Sequence, residues 1–431
     1  MFYNPLPILL IPVGLYFLWR LRFFYILHPV KSFSSVLGEL RKPENRRSFF
    51  LALAGTLGVG NLVGVAIGII IGGRGSLFWL LISAIPSSVI KYAEVVSCSS
   101  PDGIAVNMSM LVSSELGRAG KPLSKLYSLV CLFLSLVMGA CLQTRTLIDS
   151  LTIPFQLDER FVSVLVLILV LLSIYRGADF VSKITAICIP LTTTMYIVMS
   201  IAVIFVHFDR LPVVISDIIS GAFSPHAAAG GIIAALLSDA MREGFSRGML
   251  SNEAGAGTST LAHATGGKMH PAKRGLFGVV EVYFDTVFLC MLSGLAILLS
   301  VPDPSRFESG MELLISSFTG SLGACAALPL SVSVVAFAYS TVVCWYYYGA
   351  TSIRDLLGCR CRVFCVVYLL FVLLGGLVQS DVLVTISDAL FLILASITLP
   401  TIIKSSDRVI SLSEQIGFIR VSRNLNNRSG K

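Results

Sequence analysis

The stretch Gly55-Thr56-Leu57-Gly58-Val59-Gly60-Asn61 interrupts an apolar run that extends from about residue 48 to residue 71. Three glycines in six residues are poor helix chemistry. In hydrocarbon, an unwound backbone leaves N–H and C=O groups unpaired, at several kcal/mol each. Such a break is tolerated only where those groups line a cavity or bind something. A second glycine pair, Gly230-Gly231, lies in a later apolar run. Two interrupted helices at corresponding places in two halves of a chain point to a binding site near the membrane midplane.

The composition agrees. Of 431 residues, 55% are hydrophobic and 13% charged, whereas a soluble protein carries about 25% charged residues. No stretch is large enough for a separate soluble domain. The longest non-apolar segments are about 101–121, 241–273 and the tail after 404. The net charge of +8 is spread between apolar runs, which reads as membrane-surface charge and not as a nucleic-acid patch. Ten Cys are scattered through apolar spans, as buried small hydrophobes are. Cys359, Cys361 and Cys365 cluster without a neighbouring His, so no metal site is expected there. No Ser/His/Asp or Cys/His set converges at one depth. An enzyme is not expected, nor is a cofactor.

Eleven apolar spans can be drawn, at roughly 7–27, 48–71, 76–97, 123–146, 161–175, 183–207, 228–241, 274–300, 327–349, 361–378 and 382–404. Residues 1–19 carry no Lys or Arg, and Arg20 and Arg22 follow the first run. That order predicts a first helix with its N-terminus outside and no cleavable signal. With this start, 27 of the 32 Lys and Arg fall on cytoplasmic segments; the other five are Arg74, Arg145, Arg160, Arg210 and Arg306. The asymmetry is that of a multi-pass protein of the cell membrane with a cytoplasmic C-terminus. Without the first span, spans 2–6 and 7–11 are two sets of five. An odd number per set gives them opposite orientation, the condition for an inverted repeat. The expected organisation is 1–47 for the first helix and linker, 48–210 and 211–404 for the repeats, and 405–431 for a cytoplasmic tail.

Several polar groups sit at membrane depth, each with a packing role as the alternative. Gly60, Gly64, Gly68 and Gly72 share one helix face suited to close packing. Asn61 is costly in an apolar run unless it binds a ligand or a neighbouring backbone. Ser340 and Thr341 can bond back to their own helix or offer hard oxygen ligands to a small cation. Trp345 follows Thr341 by one turn and can face the same cavity, although Trp345-Tyr346-Tyr347-Tyr348 also suits an interfacial belt. Gln143 reads equally as glue between helices or as a substrate contact. The intramembrane acids are Glu94, Glu281, Asp285 and Asp388; Lys91 stands where it can pair with Glu94. Ser251-Asn252-Glu253-Ala254-Gly255-Ala256-Gly257 reads as a polar, flexible cytoplasmic segment.

These segments together resemble the alanine or glycine:cation symporter family, also called the sodium:alanine symporters. Gly14-Leu15-Tyr16-Phe17 with Arg20-Leu21-Arg22-Phe23-Phe24 is similar to the family's first helix. Gly58-Val59-Gly60-Asn61-Leu62-Val63-Gly64-Val65-Ala66 resembles its GTGNIAGVA, and Lys91-Tyr92-Ala93-Glu94 its KFAE. Phe223-Ser224-Pro225, Ala227 to Gly231 and Arg247 to Gly255 follow its seventh-helix region. Phe337 to Thr341 and Trp345 to Gly349 resemble its FAFST and GWYYYG. The chain departs from the family at 104–110, where GGPMYY is usual, and at 139–146, where Gln143 of GNMVQANS is kept and the Asn residues are not.

The resemblance implies an all-α, LeuT-like fold of five-plus-five inverted repeats with one extra N-terminal helix. It implies import of alanine, glycine or similar small neutral amino acids, coupled to sodium. On folds of this kind the sodium would lie between carbonyls of Ala54 and Leu57 and the residues Phe337, Ser340 and Thr341. The amino acid would lie against Thr56, Gly58, Gly60, Asn61, Gly230, Gly231 and Ile232, with Gln143 and Trp345 nearby. A helix N-terminus exposed at the break favours its carboxylate. Proton coupling through Asp285 or Glu281 is an alternative, and so is a receptor that binds an amino acid without moving it.

Overall fold

The computed structural model describes residues 5–223, 238–359 and 361–417. Among them the chain is helical, and Ser99 with Ala105 forms an isolated antiparallel bridge. Among the described residues, six helical stretches are long and apolar enough to cross a membrane: Ser76–Ser97, Gly117–Phe155, Ile187–Val206, Pro271–Ser300, Ala324–Leu357 and Val382–Lys404. Leu6–Arg20, Val63–Gly72 and Arg362–Leu374 are apolar but shorter.

The first span is shorter than expected. Helix α1 (Leu6–Arg20) stops where Arg22 and Phe23 take positive φ of 52° and 53°, against an expected end at 27. The chain then forms α2 (Phe24–Leu27) and α3 (Pro29–Leu40). The second span is two helices, α4 (Pro43–Thr56) and α5 (Val63–Gly72), with a turn over 57–62 between them. Helix α4 begins with Pro43 at its start and includes Arg46 and Arg47, so it projects beyond the apolar run.

The chain continues through α6 (Ser76–Ser97), α7 (Met108–Glu115) and α8 (Gly120–Leu134). Helix α8 runs without interruption through a π-helical segment, Ser135–Leu142, into α9 (Gln143–Phe155). Next come α10 (Glu159–Arg176), α11 (Ala178–Val206) and α12 (Leu211–Ala222). Beyond residue 237 the helices are α13 (Asp239–Asn252), the single turn α14 (Thr260–His263) and α15 (Pro271–Val282). A second π-helical segment, Tyr283–Cys290, joins α15 to α16 (Met291–Ser300). The rest are α17 (Gly310–Leu322), α18 (Ala327–Leu357), α19 (Arg362–Leu374), α20 (Ser380–Lys404) and α21 (Ser406–Gln415).

Residues 251–257 are not the flexible segment that their polarity suggests. Helix α13 packs on α5 and α6, and Ser251 to Gly257 are buried. The glycine face of α5 makes this possible. A Cβ at Gly72 would stand 2.9 Å from the Glu243 Cβ, one at Gly68 2.9 Å from the Arg247 Cγ, and one at Gly60 3.3 Å from the Ser251 Cα. Gly64 has nothing within 4 Å and is not needed for this contact. The same contacts fix the direction of α13. Its first turn lies beside Gly72, where the Asp239 carbonyl stands 3.1 Å from a Cβ at that glycine. Gly75 lies equally close against Gly221. Arg242 therefore sits at the end of the bundle that holds Arg74, not at the opposite end where the charge count had placed it.

Candidate functional site

The break between α4 and α5 brings together residues from three other helices. Helix α4 ends as Leu57 N–H bonds the Leu53 carbonyl at 2.6 Å, and Gly58 N–H then closes a tight turn on the Thr56 carbonyl at 2.8 Å. From α18, the Thr341 hydroxyl lies 2.9 Å from the Ala54 carbonyl and 2.9 Å from that of Phe337, and donates to them. Ser340 donates to the Phe337 carbonyl at 2.9 Å. Ala54 O, Phe337 O, Thr341 Oγ1 and Ser340 Oγ thus form one hydrogen-bonded oxygen cluster, all buried. Hard oxygen donors of this kind suit a small unsoftened cation. Leu57 is buried at the same break.

Gln143 faces this cluster. A Cβ at Gly58 would stand 3.0 Å from Thr341 Oγ1 and 3.1 Å from both terminal atoms of Gln143. Only glycine lets the three approach so closely. The π-helical segment Ser135–Leu142 ends immediately before Gln143. An extra residue in a helical turn of this kind re-aims the side chains that follow, and such turns recur at functional sites. Trp345 completes this side: it is fully buried, and its indole N–H reaches the Gly55 carbonyl at 3.4 Å. Gly139 admits it, since a Cβ there would lie 2.3 Å from the Trp345 Cβ.

The other expected residues divide. Thr56 turns its hydroxyl back onto the Ala52 and Leu53 carbonyls, at 3.2 and 3.3 Å, so its proton serves its own helix. Gly60 lies against Ser251, on the α13 side of the break. Asn61 faces the same way. Its amide N–H donates to Asp285, and its oxygen accepts from the Ser251 hydroxyl at 2.9 Å. Gly230, Gly231 and Ile232 lie outside the described residues.

One sequence expectation for the neighbouring acids needs correction. Lys91 and Glu94 form no ion pair among the described residues. The Lys91 ammonium donates to the Asn252 carbonyl at 2.7 Å, and Glu94 accepts the N–H groups of Gly255 and Gly257. Glu281 is held 2.9 Å from His263 Nε2. Ser251 and Tyr348 were not singled out from the sequence. Tyr348 is buried, with its hydroxyl 2.7 Å from a Cβ at Gly55. Its place in an aromatic run hid it, whereas Ser251 was hidden by its polar neighbours.

A cavity of about 730 Å³ approaches the break from the end of the bundle that holds Arg74. It is lined by Val63, Ile67, Arg145, Asp149, Phe307 and Glu308, among others. Val63 is two residues past Asn61, and Arg145 two past Gln143. Arg145 pairs with Asp149 at 2.7 Å and donates to the Gly376 carbonyl at 3.1 Å, which ties α9 to the turn before α20.

Comparison with known proteins gives this geometry its context. The model of the sodium:alanine symporter family matches residues 1–416. The amino-acid carrier protein AlsT of Bacillus subtilis is 29% identical over 356 residues, covering 80% of this chain and 74% of AlsT. The sodium/alanine symporter AgcS of Methanococcus maripaludis is 28% identical over 357 residues, covering 80% and 78%. An uncharacterized transporter of Bacillus subtilis, YflA, is 29% identical over 387 residues, covering 86% and 82%. A buried helix break, an oxygen cluster beside it and a match over nearly the whole chain lead to one conclusion: this protein belongs to the sodium:alanine symporter family, whose members are transporters and not enzymes.

Proposed function

We propose that the chain imports a small neutral amino acid, glycine or either enantiomer of alanine, by symport with sodium. The observation that carries this reading is the Thr341 hydroxyl on the Ala54 carbonyl, with Gln143 against Gly58. Sodium would replace the Thr341 proton as the partner of the Ala54 and Phe337 carbonyls, with Ser340 and Leu57 completing the shell. It would brace α4 against α18. An ion that braces one conformation binds the two states unequally, and that inequality is what coupling requires. The amino acid would sit at the break, its carboxylate towards Gly58 and Gly60 and its small side chain near Gln143 and Trp345. Glycines along this wall leave room for a methyl group and little more. Gly230, Gly231 and Ile232 are proposed as the opposite wall on sequence grounds alone.

The proposed frame is a LeuT-like pair of five-helix inverted repeats, 48–210 and 211–404, after one extra helix, with the N-terminus outside and the C-terminus in the cytoplasm. The break in α4/α5 supports it. So does the bend from α13 to α14, where Glu253, Gly255 and Gly257 take positive φ.

The test is alanine uptake in proteoliposomes with sodium replaced by choline at fixed pH. Uptake should require sodium. Ser340→Ala combined with Thr341→Ala should raise the half-saturating sodium concentration at least tenfold, about 1.4 kcal/mol. Uptake that ignores sodium but follows a proton gradient would favour the proton-coupled reading through Asp285 or Glu281. Binding of alanine with no counterflow would favour a receptor.

A further inference from the structure

A groove of about 840 Å³ runs along the perimeter of the bundle, between α3 and the helix that leads from α15 into the second π-helical segment. One wall is Val30, Phe33 and Leu37, spaced three and four residues apart and so on one face of α3. The other wall is Val280, Phe284 and Phe288. Val30, Phe33, Leu37 and Phe288 are exposed although each is large and apolar. The second wall belongs to Pro271–Ser300, which is long and apolar enough to cross a membrane. The groove therefore opens towards lipid.

Its two ends differ in charge. At one end Lys42 and Lys273 stand 2.9 and 3.1 Å from Glu39, two ammonium groups on a single carboxylate. Arg41 is exposed beside them. That end is net positive. At the other end Phe284 and Phe288 stack with their ring centroids 5.8 Å apart. Lys273 and Phe288 lie fifteen residues apart on one continuous helix, about 22 Å at 1.5 Å per residue. One leaflet with its head groups is about 20–22 Å thick. Between the ends, Ser32 lines the groove, and its hydroxyl is buried without a hydrogen-bond partner among the described residues. A buried hydroxyl is costly unless an occupant of the groove bonds it.

We propose that this groove binds one anionic glycerophospholipid. An acyl chain lies along Phe33, Phe284 and Phe288, an ester oxygen accepts the Ser32 proton, and the phosphate sits at Arg41, Lys42 and Lys273. Length, polarity gradient and charge match such a lipid, and basic pockets beside spanning helices are suited to anionic head groups. A second copy of this chain fits less well, because a two-fold contact would set the same positive end against itself. The lipid also reaches the break indirectly. Phe284 lines the groove, and its neighbour Asp285 accepts from the Asn61 amide at the break. A filled groove thus supports, from outside the bundle, the π-helical segment that holds the break from within.

The experiment titrates the purified full chain in detergent with phosphatidylglycerol or phosphatidylcholine of identical acyl chains and reads lipid adducts by native mass spectrometry. Retention on size exclusion is the check on folding. The first phosphatidylglycerol should bind at least about fivefold more tightly than the first phosphatidylcholine, the effect of one basic residue at a membrane surface. Arg41→Gln with Lys42→Gln leaves Lys273 on Glu39 and should abolish that preference. Ser34 is exposed and lines the groove, so Ser34→Trp should fold while filling it, and should weaken the first adduct of both lipids several-fold. Equal binding of the two lipids by the parent overturns the proposal, as does a Ser34→Trp protein that binds phosphatidylglycerol as the parent does. A parent that is dimeric and is made monomeric by Ser34→Trp would assign the groove to a second copy instead.

Discussion

Glu94 accepts the backbone N–H of Gly255 at 2.8 Å, joining the last turn of α6 to the turn that follows α13. Its Oε1 takes a second N–H, from Gly257, at 3.2 Å. The turn needs this. Glu253, Gly255 and Gly257 all take positive φ; the Glu253 N–H still closes on the Met249 carbonyl of α13 at 2.8 Å, but those of Gly255 and Gly257 turn inward, away from the helix. A carboxylate is the natural occupant of such a concave row of donors. Glu94 thus does for the second bend what water would do in a soluble protein.

Removing that acceptor should be costly. Each buried donor left without a partner costs about 1–3 kcal/mol. Glu94→Ala should lower the thermal unfolding midpoint in detergent by several degrees. Glu94→Gln keeps an oxygen in place and should remain near the parent. Equal midpoints for parent and Glu94→Ala would show that the turn finds its partners elsewhere.

The direction of α13 makes a labelling prediction. Lys268 and Ser305 are both exposed, and they lie on segments that the charge asymmetry assigns to opposite sides. In a background without the native exposed cysteines Cys188, Cys325 and Cys359, Ser305→Cys should react with an impermeant thiol reagent added outside intact cells. Lys268→Cys should react only after permeabilisation. The reverse pattern would invert the whole orientation.

Much of this protein was legible in its sequence because lipid imposes simple rules. The apolar runs located the long helices, and the glycines of 55–60 marked a true break. Thr341 and Gln143 do meet at that break, a convergence that the family resemblance implied, since residue type alone left both equally able to serve helix packing. The segment 251–257 was misread for a physical reason. Composition reports polarity, and polarity normally means water. Here several polar groups pair inside the bundle: Arg247 with Glu243, and Asn252, which accepts from Ala254 N–H at 3.0 Å. No local pattern distinguishes a polar helix that packs inward from a polar loop. The destination of Asn61 was equally hidden, because its partner Asp285 is 224 residues away.

Trp345 and Gly139 give a sharp test of the site's shape. The Trp345 ring leans on the Gly139 Cα face, where an added Cβ would meet the Trp345 Cβ at 2.3 Å and its Cγ at 2.7 Å. Neither atom is the far end of a flexible chain, so α18 must shift or the π-helical segment must open. Overpacking of this kind costs about 1–3 kcal/mol. The displacement would carry Trp345 away from the Gly55 carbonyl and disturb Gln143, four residues further along. Gly139→Ala should therefore raise the half-saturating alanine concentration at least tenfold, about 1.4 kcal/mol. Gly64→Ala is the matched control. A Cβ there meets nothing within 4 Å, and alanine improves the helix by up to about 1 kcal/mol, so uptake should be unchanged and stability equal or higher. If Gly139→Ala transported alanine as the parent does, Trp345 would not belong to the substrate wall.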